Sequence, residues 1–141
     1  MIDHIYISVS DISKSSDFYG AALKPLGWHD LGGYDGSSGT EGAPDYLYGF
    51  GDQFYGGGVK IGSSIWLRER QPGETGLYVG LVAADPKAVD AAYAAAIKAG
   101  GKDDGAPGLR TYFGPGYYAA NVIDFDGNRL EFVTKKWNPQ P

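Results

Sequence analysis

DHIYISVSD, residues 3–11, alternates as only a strand with two unlike faces does. Ile5, Ile7 and Val9 fall on one side, and His4, Tyr6 and Ser8 on the other, because successive strand side chains point to opposite faces. The branched side suits a core packed on a helix. The His/Tyr/Ser side needs a surrounding polar enough to accept it. Asp11 or Ser13 stands where a helix cap belongs. Phe18, Tyr19, Ala22 and Leu23 then recur at helical spacing, and Pro25 with Gly27 ends the helix.

The chain then does the same again. Residues 4–27 slide onto 78–101 without a gap: Asp11 meets Asp85, Tyr19 meets Tyr93, Ala22 meets Ala96, Lys24 meets Lys98 and Gly27 meets Gly101. Ile5, Ile7 and Leu23 meet Val79, Leu81 and Ile97. Cap, apolar stripe and helix stop each account for a match. The ends of the halves match at a shorter offset, with IGSSIWL (61–67) lying on DGNRLEF (126–132). Each half therefore reads as strand, helix, then about three strands, and neither buries its sheet alone. The expected fold class is α+β: two βαβββ modules related by a pseudo-twofold, forming a curved mixed sheet around a cleft, with helices outside. A single domain spans 1–141, with module 1 at about 1–72 and module 2 at about 75–136.

Between these anchors, DYLYGF (45–50) and VKIGSSIWLRE (59–69) read as strands, the latter broken at Gly62-Ser63. Asp85-Pro86 opens the second helix with a cap and a first-turn proline. The Gly-rich stretches LGGYDGSSGTEGA (31–43) and KDDGAPGLRTYFGPG (102–116) read as loops, the first a candidate lid, and the tail WNPQP ends the chain.

Composition narrows the function. The net charge of −5 argues against nucleic acid and anionic membranes, both bound through Lys and Arg clusters. There is no Cys, so no thiol nucleophile and no thiolate metal site. No apolar run approaches a membrane span and no signal peptide opens the chain, so a cytoplasmic protein is expected. The Gly runs GGYDG and YGGGVKIG fit neither a dinucleotide fingerprint nor a P-loop. Nothing supports Ser/His/Asp catalysis.

DHIYISVSDISKSSDFYGAALKPLGW at the start, YVGLVAADPKAVDAAYAAAIKAGG in the middle and IDFDGNRLEF near the end resemble the glyoxalase / bleomycin-resistance / extradiol-dioxygenase superfamily, the vicinal-oxygen-chelate proteins. The resemblance covers nearly the whole chain. It implies the paired fold, and it leaves the reaction open among isomerases, dioxygenases, epimerases, thiol transferases and metal-free drug-binding proteins. It also implies paired chains, a homodimer. Its pattern implies up to four ligand positions, which map onto His4, Trp66, Tyr78 and Glu131. Strand alternation turns His4 and Glu131 away from their apolar neighbours and into the cleft. Trp66 cannot ligate a metal, and Tyr78 stands where a second His is common. That leaves His4 and Glu131, with Tyr78 as a third position, to hold one divalent metal (Fe, Mn, Zn or Ni). The other reading is no metal, with His4 and Glu131 as a buried pair.

Trp66, Tyr78, Tyr48, Phe50, Tyr112 and Tyr118 are the candidate aromatic lining of the cleft, with Arg68 and Arg110 beside them. Aromatic walls and one or two Arg suit a planar or carboxylate-bearing organic molecule; for any one aromatic the alternative is ordinary sheet packing. Two functions follow. One is a metal-dependent lyase, isomerase or dioxygenase in which Glu131 is the catalytic, proton-moving residue. The other is a metal-independent protein that binds a small aromatic or drug-like molecule.

Overall fold

Asp11 and Asp85 begin the two helices in the same way. Each lies in extended backbone, and its carboxylate accepts the N–H three residues on, from Lys14 at 2.9 Å and from Ala88 at 2.8 Å. Each cap satisfies a donor that the first turn leaves unpaired. The helices are α1 (Ile12–Leu23) and α2 (Pro86–Lys98). Gly27, at φ +87°, turns the chain after the short 3-10 turn Lys24–Leu26, and Gly100, at φ +102°, does so after α2. A side chain at either would be strained.

The computed structural model describes residues 2–35, 46–52, 54–56 and 59–135. Module 1 holds β1 (His4–Val9), β2 (His29–Asp35), β3 (Tyr46–Gly51), β4 (Phe54–Gly56), β5 (Val59–Ile61) and β6 (Ser64–Glu69). Module 2 holds β7 (Tyr78–Val82), β8 (Lys102–Leu109), β9 (Tyr117–Ile123) and β10 (Arg129–Lys135). The expected mixed sheet is present as two four-stranded halves, ordered β1-β6-β3-β2 (sheet 1) and β7-β10-β9-β8 (sheet 2), with β4 and β5 forming a separate hairpin. In both, the first strand runs parallel to the last. The register carries the internal repeat residue for residue: His4 lies beside Ser64, and Tyr78 lies beside Arg129.

Two expected loops are in part strands. β2 takes residues up to Asp35 and β8 takes 102–109. Their glycines hid them, because Gly is depleted in strands. Both pair irregularly, with register shifts between Asp30 and Gly32, and between Asp103, Gly105 and Gly108. Such shifts suit strands at the outer edge of a sheet. The remainder of the candidate lid and the tail residue Trp137 lie outside the described residues.

The branched face of β1 packs as the alternation predicts. Ile7, Val9, Phe18 and Tyr19 join Leu81, Val89, Val122 and Phe132 in one buried cluster drawn from both modules. Each such side chain contributes roughly 1.5–3 kcal/mol on burial. A polar knot joins the modules as well. The β9–β10 turn, residues 124–128, is tied to module 1. Tyr19 donates to Asp124 Oδ2 at 2.7 Å, Asn128 Nδ2 donates to the Ser8 carbonyl at 3.1 Å, and Arg70 Nη1 donates to the Asp126 carbonyl at 2.8 Å. Among the described residues, no helix is long and apolar enough to cross a membrane.

Candidate functional site

Strand register decides which side chains reach the face of each sheet turned away from the helices. On sheet 2, Glu131 sits across from Asn121 on β9 and beside Gly80 on β7. Tyr78, Gly80 and Val82 therefore share its face, as do Tyr117 and Asn121. Glu131 is only 6% exposed. A carboxylate buried that far needs donors, and it has two: Tyr78 donates to Oε1 at 2.5 Å, and Tyr117 donates to Oε2. Arg110 Nη1 lies 3.8 Å from Oε1. Arg110 donates from the same nitrogen to Asn121 Oδ1 at 2.5 Å, and Asn121 Nδ2 donates to the Tyr78 hydroxyl at 2.9 Å.

The phenols stay protonated. Burial, then the hydrogen bond to Glu131, pushes the Tyr117 hydroxyl up to about 12. The same two causes raise that of Tyr78. The Tyr78 ring is half exposed while its hydroxyl is turned inward onto Glu131 and Asn121, so burial acts on the end that titrates. A cavity of about 670 Å³ lies over this face, walled by Tyr78, Gly80, Val82, Tyr117, Glu131 and Val133.

The candidate residues divide by strand face. Glu131, Tyr78 and Arg110 come together as one network. Trp66 and Arg68 lie on sheet 1: the Trp66 indole donates to Ser64 Oγ at 3.0 Å, and Arg68 pairs with Glu74 at 3.0 Å. Tyr112 stands 76% exposed on the turn after β8, its ring 4.7 Å from that of Phe113. Three placements need correction. Phe50 is buried in the core, and Tyr48 packs on it from the same face, its hydroxyl on Asp30; β3 sets Gly49, not these two, opposite Trp66. Tyr118 faces the helix and donates to Asp90 at 2.6 Å. His4 is exposed and hydrogen-bonds to Asp3 at 2.7 Å, so the buried His4–Glu131 pair is not what the fold builds. Tyr117 and Asn121 were missed. Asn121 is the polar residue of YYAANVI, and its parity points to Tyr117 rather than Tyr118.

The pairing of modules agrees with a family model that spans residues 1–132, that of the Glyoxalase/Bleomycin resistance protein/Dioxygenase superfamily. The chain belongs to this superfamily. A glyoxalase/bleomycin resistance protein from Albidiferax ferrireducens is similar in structure, with a TM-score of 0.68 and 26% identity over 94% of this chain and 97% of that one. A glyoxalase/bleomycin resistance protein from a Streptomyces species superposes with a TM-score of 0.61 at 23% identity, over 95% and 100% of the two chains. A third, a glyoxalase/bleomycin resistance protein/dioxygenase family enzyme from Burkholderia phytofirmans, gives 0.62 at 18% identity over 94% and 97%. No curated protein sequence matches the chain.

The ligand positions that the superfamily resemblance implies are those of a metal site, and the donor set around Glu131 does not fit a metal. Both carboxylate oxygens already accept phenolic O–H groups, the phenols are held neutral, and a guanidinium stands behind them. A divalent ion bound here would lie against that cation. Among the described residues, no three His, Cys, Asp or Glu side chains gather as a metal would need.

Proposed function

We propose that this member of the superfamily binds a small organic molecule over sheet 2 without a metal ion. One observation carries the reading: Glu131 is closed by Tyr78 and Tyr117 and backed by Arg110. That set suits hydrogen bonding and aromatic contact better than Lewis-acid chemistry. The cavity beside it has the volume of a site for a drug-sized molecule, with an aliphatic floor of Val82 and Val133. The superfamily's name covers bleomycin resistance proteins beside glyoxalases and dioxygenases, and the reading places this chain with the binders. A homodimer belongs to the proposal, with a second copy laid against open apolar positions away from the cavity such as Ile2, which is 69% exposed.

The test is a thermal-shift screen of neutral and charged aromatic molecules in the presence of a chelator, repeated on Gly80→Leu. Among the described residues an added Cβ at Gly80 meets nothing within 4 Å, so a larger side chain there is directed into the open space beside Glu131. Ligands that raise the melting temperature in chelator, and lose their effect in Gly80→Leu, support the reading. A shift that appears only with a divalent metal overturns it.

A further inference from the structure

Tyr78 walls two cavities. Beside the larger lies one of about 410 Å³, enclosed by Tyr78, Asp104, Arg110, Tyr112, Asn121 and Arg129, with backbone of β8 between them. Two guanidinium groups open into it. The Arg110 side chain is only 15% exposed, and among the described residues its one side-chain hydrogen bond leaves from Nη1. A guanidinium carries five N–H donors in a planar fork, and the donors left over are not sealed off: Arg110 lines the cavity, and among the described residues the one fully buried side-chain polar atom without a partner is Asp126 Oδ2. Nη2 lies against Gly105, where an added Cβ would stand 3.0 Å from it and where φ is +148°. A side chain at 105 would crowd that nitrogen, so the glycine leaves the guanidinium room beside β8. Arg129 reaches the cavity from β10. Its Nε donates to Asp104 Oδ2 at 2.8 Å, and the group lies 5.1 Å from the Tyr78 ring centre.

The acidic groups nearby are already engaged. Asp104 is held by Arg129, and Glu131 borders the larger cavity, closed by its two phenols. What the smaller cavity offers is therefore the Arg110 fork, a second guanidinium and the rings of Tyr78 and Tyr112. A flat anion matches a fork through paired N–H···O bonds. Aromatic walls match a ring attached to it.

We propose that this cavity receives the carboxylate of an aromatic acid, with Arg110 as its principal anchor and Arg129 as its second. This names the ligand class of the site proposed above and rests on that reading. A larger acid extends its apolar part past Tyr78 toward Gly80 and Val133.

The experiment is calorimetric titration of the full chain, at fixed ionic strength, with benzoate, with its neutral analogue benzamide, and with sulfate. Two variants accompany it. Arg110→Gln removes the anchor. Gly108→Leu puts an apolar side chain into the cavity and leaves every charge in place, since among the described residues an added Cβ at Gly108 meets nothing within 4 Å and the position is not in the left-handed region. Benzoate binding about tenfold tighter than benzamide, the gap expected from one charge-assisted hydrogen bond, and lost in both variants, supports the proposal. Equal affinity for benzamide overturns it, as does benzoate binding that survives Gly108→Leu, or competition by sulfate at equal strength. In those cases neutral aromatics still shifting the melting temperature leave the broader reading standing. Failure of every aromatic removes both.

Discussion

Trp66 and Glu131 occupy the same position in the two modules. Trp66 lies beside Tyr6 and opposite Gly49; Glu131 lies beside Gly80 and opposite Asn121. Module 1 puts the large ring on its last strand and a glycine across from it. Module 2 puts a carboxylate there, with its glycine on the first strand. An added Cβ at Gly49 would run into the Trp66 ring, while among the described residues one at Gly80 meets nothing within 4 Å. The indole fills in sheet 1 the space that sheet 2 leaves open, and the two cavities beside Tyr78 lie over sheet 2 alone. The pseudo-symmetric fold thus fills this position in one module and leaves it open in the other.

Gly49→Ala tests that packing. The indole is pinned by its bond to Ser64, so it cannot swing away freely. Overpacking of this kind costs about 1–3 kcal/mol, read as a shift in urea midpoint. Adding Trp66→Leu should recover most of the loss, since the two residues touch and their effects are coupled. A loss unchanged by the second substitution would show that the ring is not what Gly49 accommodates.

Tyrosinate absorbance tests the closed carboxylate. With its folded pKa near 12 and an unfolded value near ~10, Tyr117 is favoured neutral in the native state. Its contribution to stability is complete below pH ~10 and disappears as pH rises through about 12. The native protein should therefore show a late titration step, shared with Tyr48, whose amplitude Tyr117→Phe lowers by one tyrosine. Glu131→Gln should move that one share to lower pH, because the charge and the strong acceptor are both gone. A late step unaffected by Glu131→Gln would detach Tyr117 from the carboxylate.

The sequence carried the paired modules well because helix caps, stops and branched strand faces are local signals. The offsets that align His4 with Tyr78 and Ser64 with Arg129 reappear as strand register. The site was less legible for physical reasons. Tyr48 and Phe50 share a parity that only pairing with β6 assigns to the core side. Tyr117 and Tyr118 are neighbours, and the choice between them depends on register with β10. Asn121 carries no motif; its importance comes from holding Arg110 with one end of its amide and Tyr78 with the other. β2 and β8 were hidden because glycine at bulged edge strands looks like glycine in loops.

Asp124 tests how firmly the modules are joined. It is buried and accepts from Tyr19, from the backbone N–H groups of Asp126 and Asn128, and from Asn128 Nδ2. Asp124→Ala leaves several of those donors unpaired, so the expected loss is on the order of 3 kcal/mol, measured by chemical denaturation. Asp124→Asn keeps the shape and one acceptor oxygen and should lose less. Equal, small effects for both would mean that the turn does not hold the modules together.

Chelation tests the metal question without requiring activity. A divalent ion bound at one hundred times its dissociation constant would add about 2.7 kcal/mol, which for a chain of this length raises the melting temperature by roughly 10 °C. The carboxylate of Glu131 instead faces two neutral phenols and a guanidinium, and His4 is turned to Asp3. Dialysis against a chelator should therefore leave the melting temperature unchanged, and added zinc, nickel, manganese or ferrous iron should not raise it. A shift of several degrees that disappears in His4→Ala would return His4 and Glu131 to a shared metal site and end the metal-free reading.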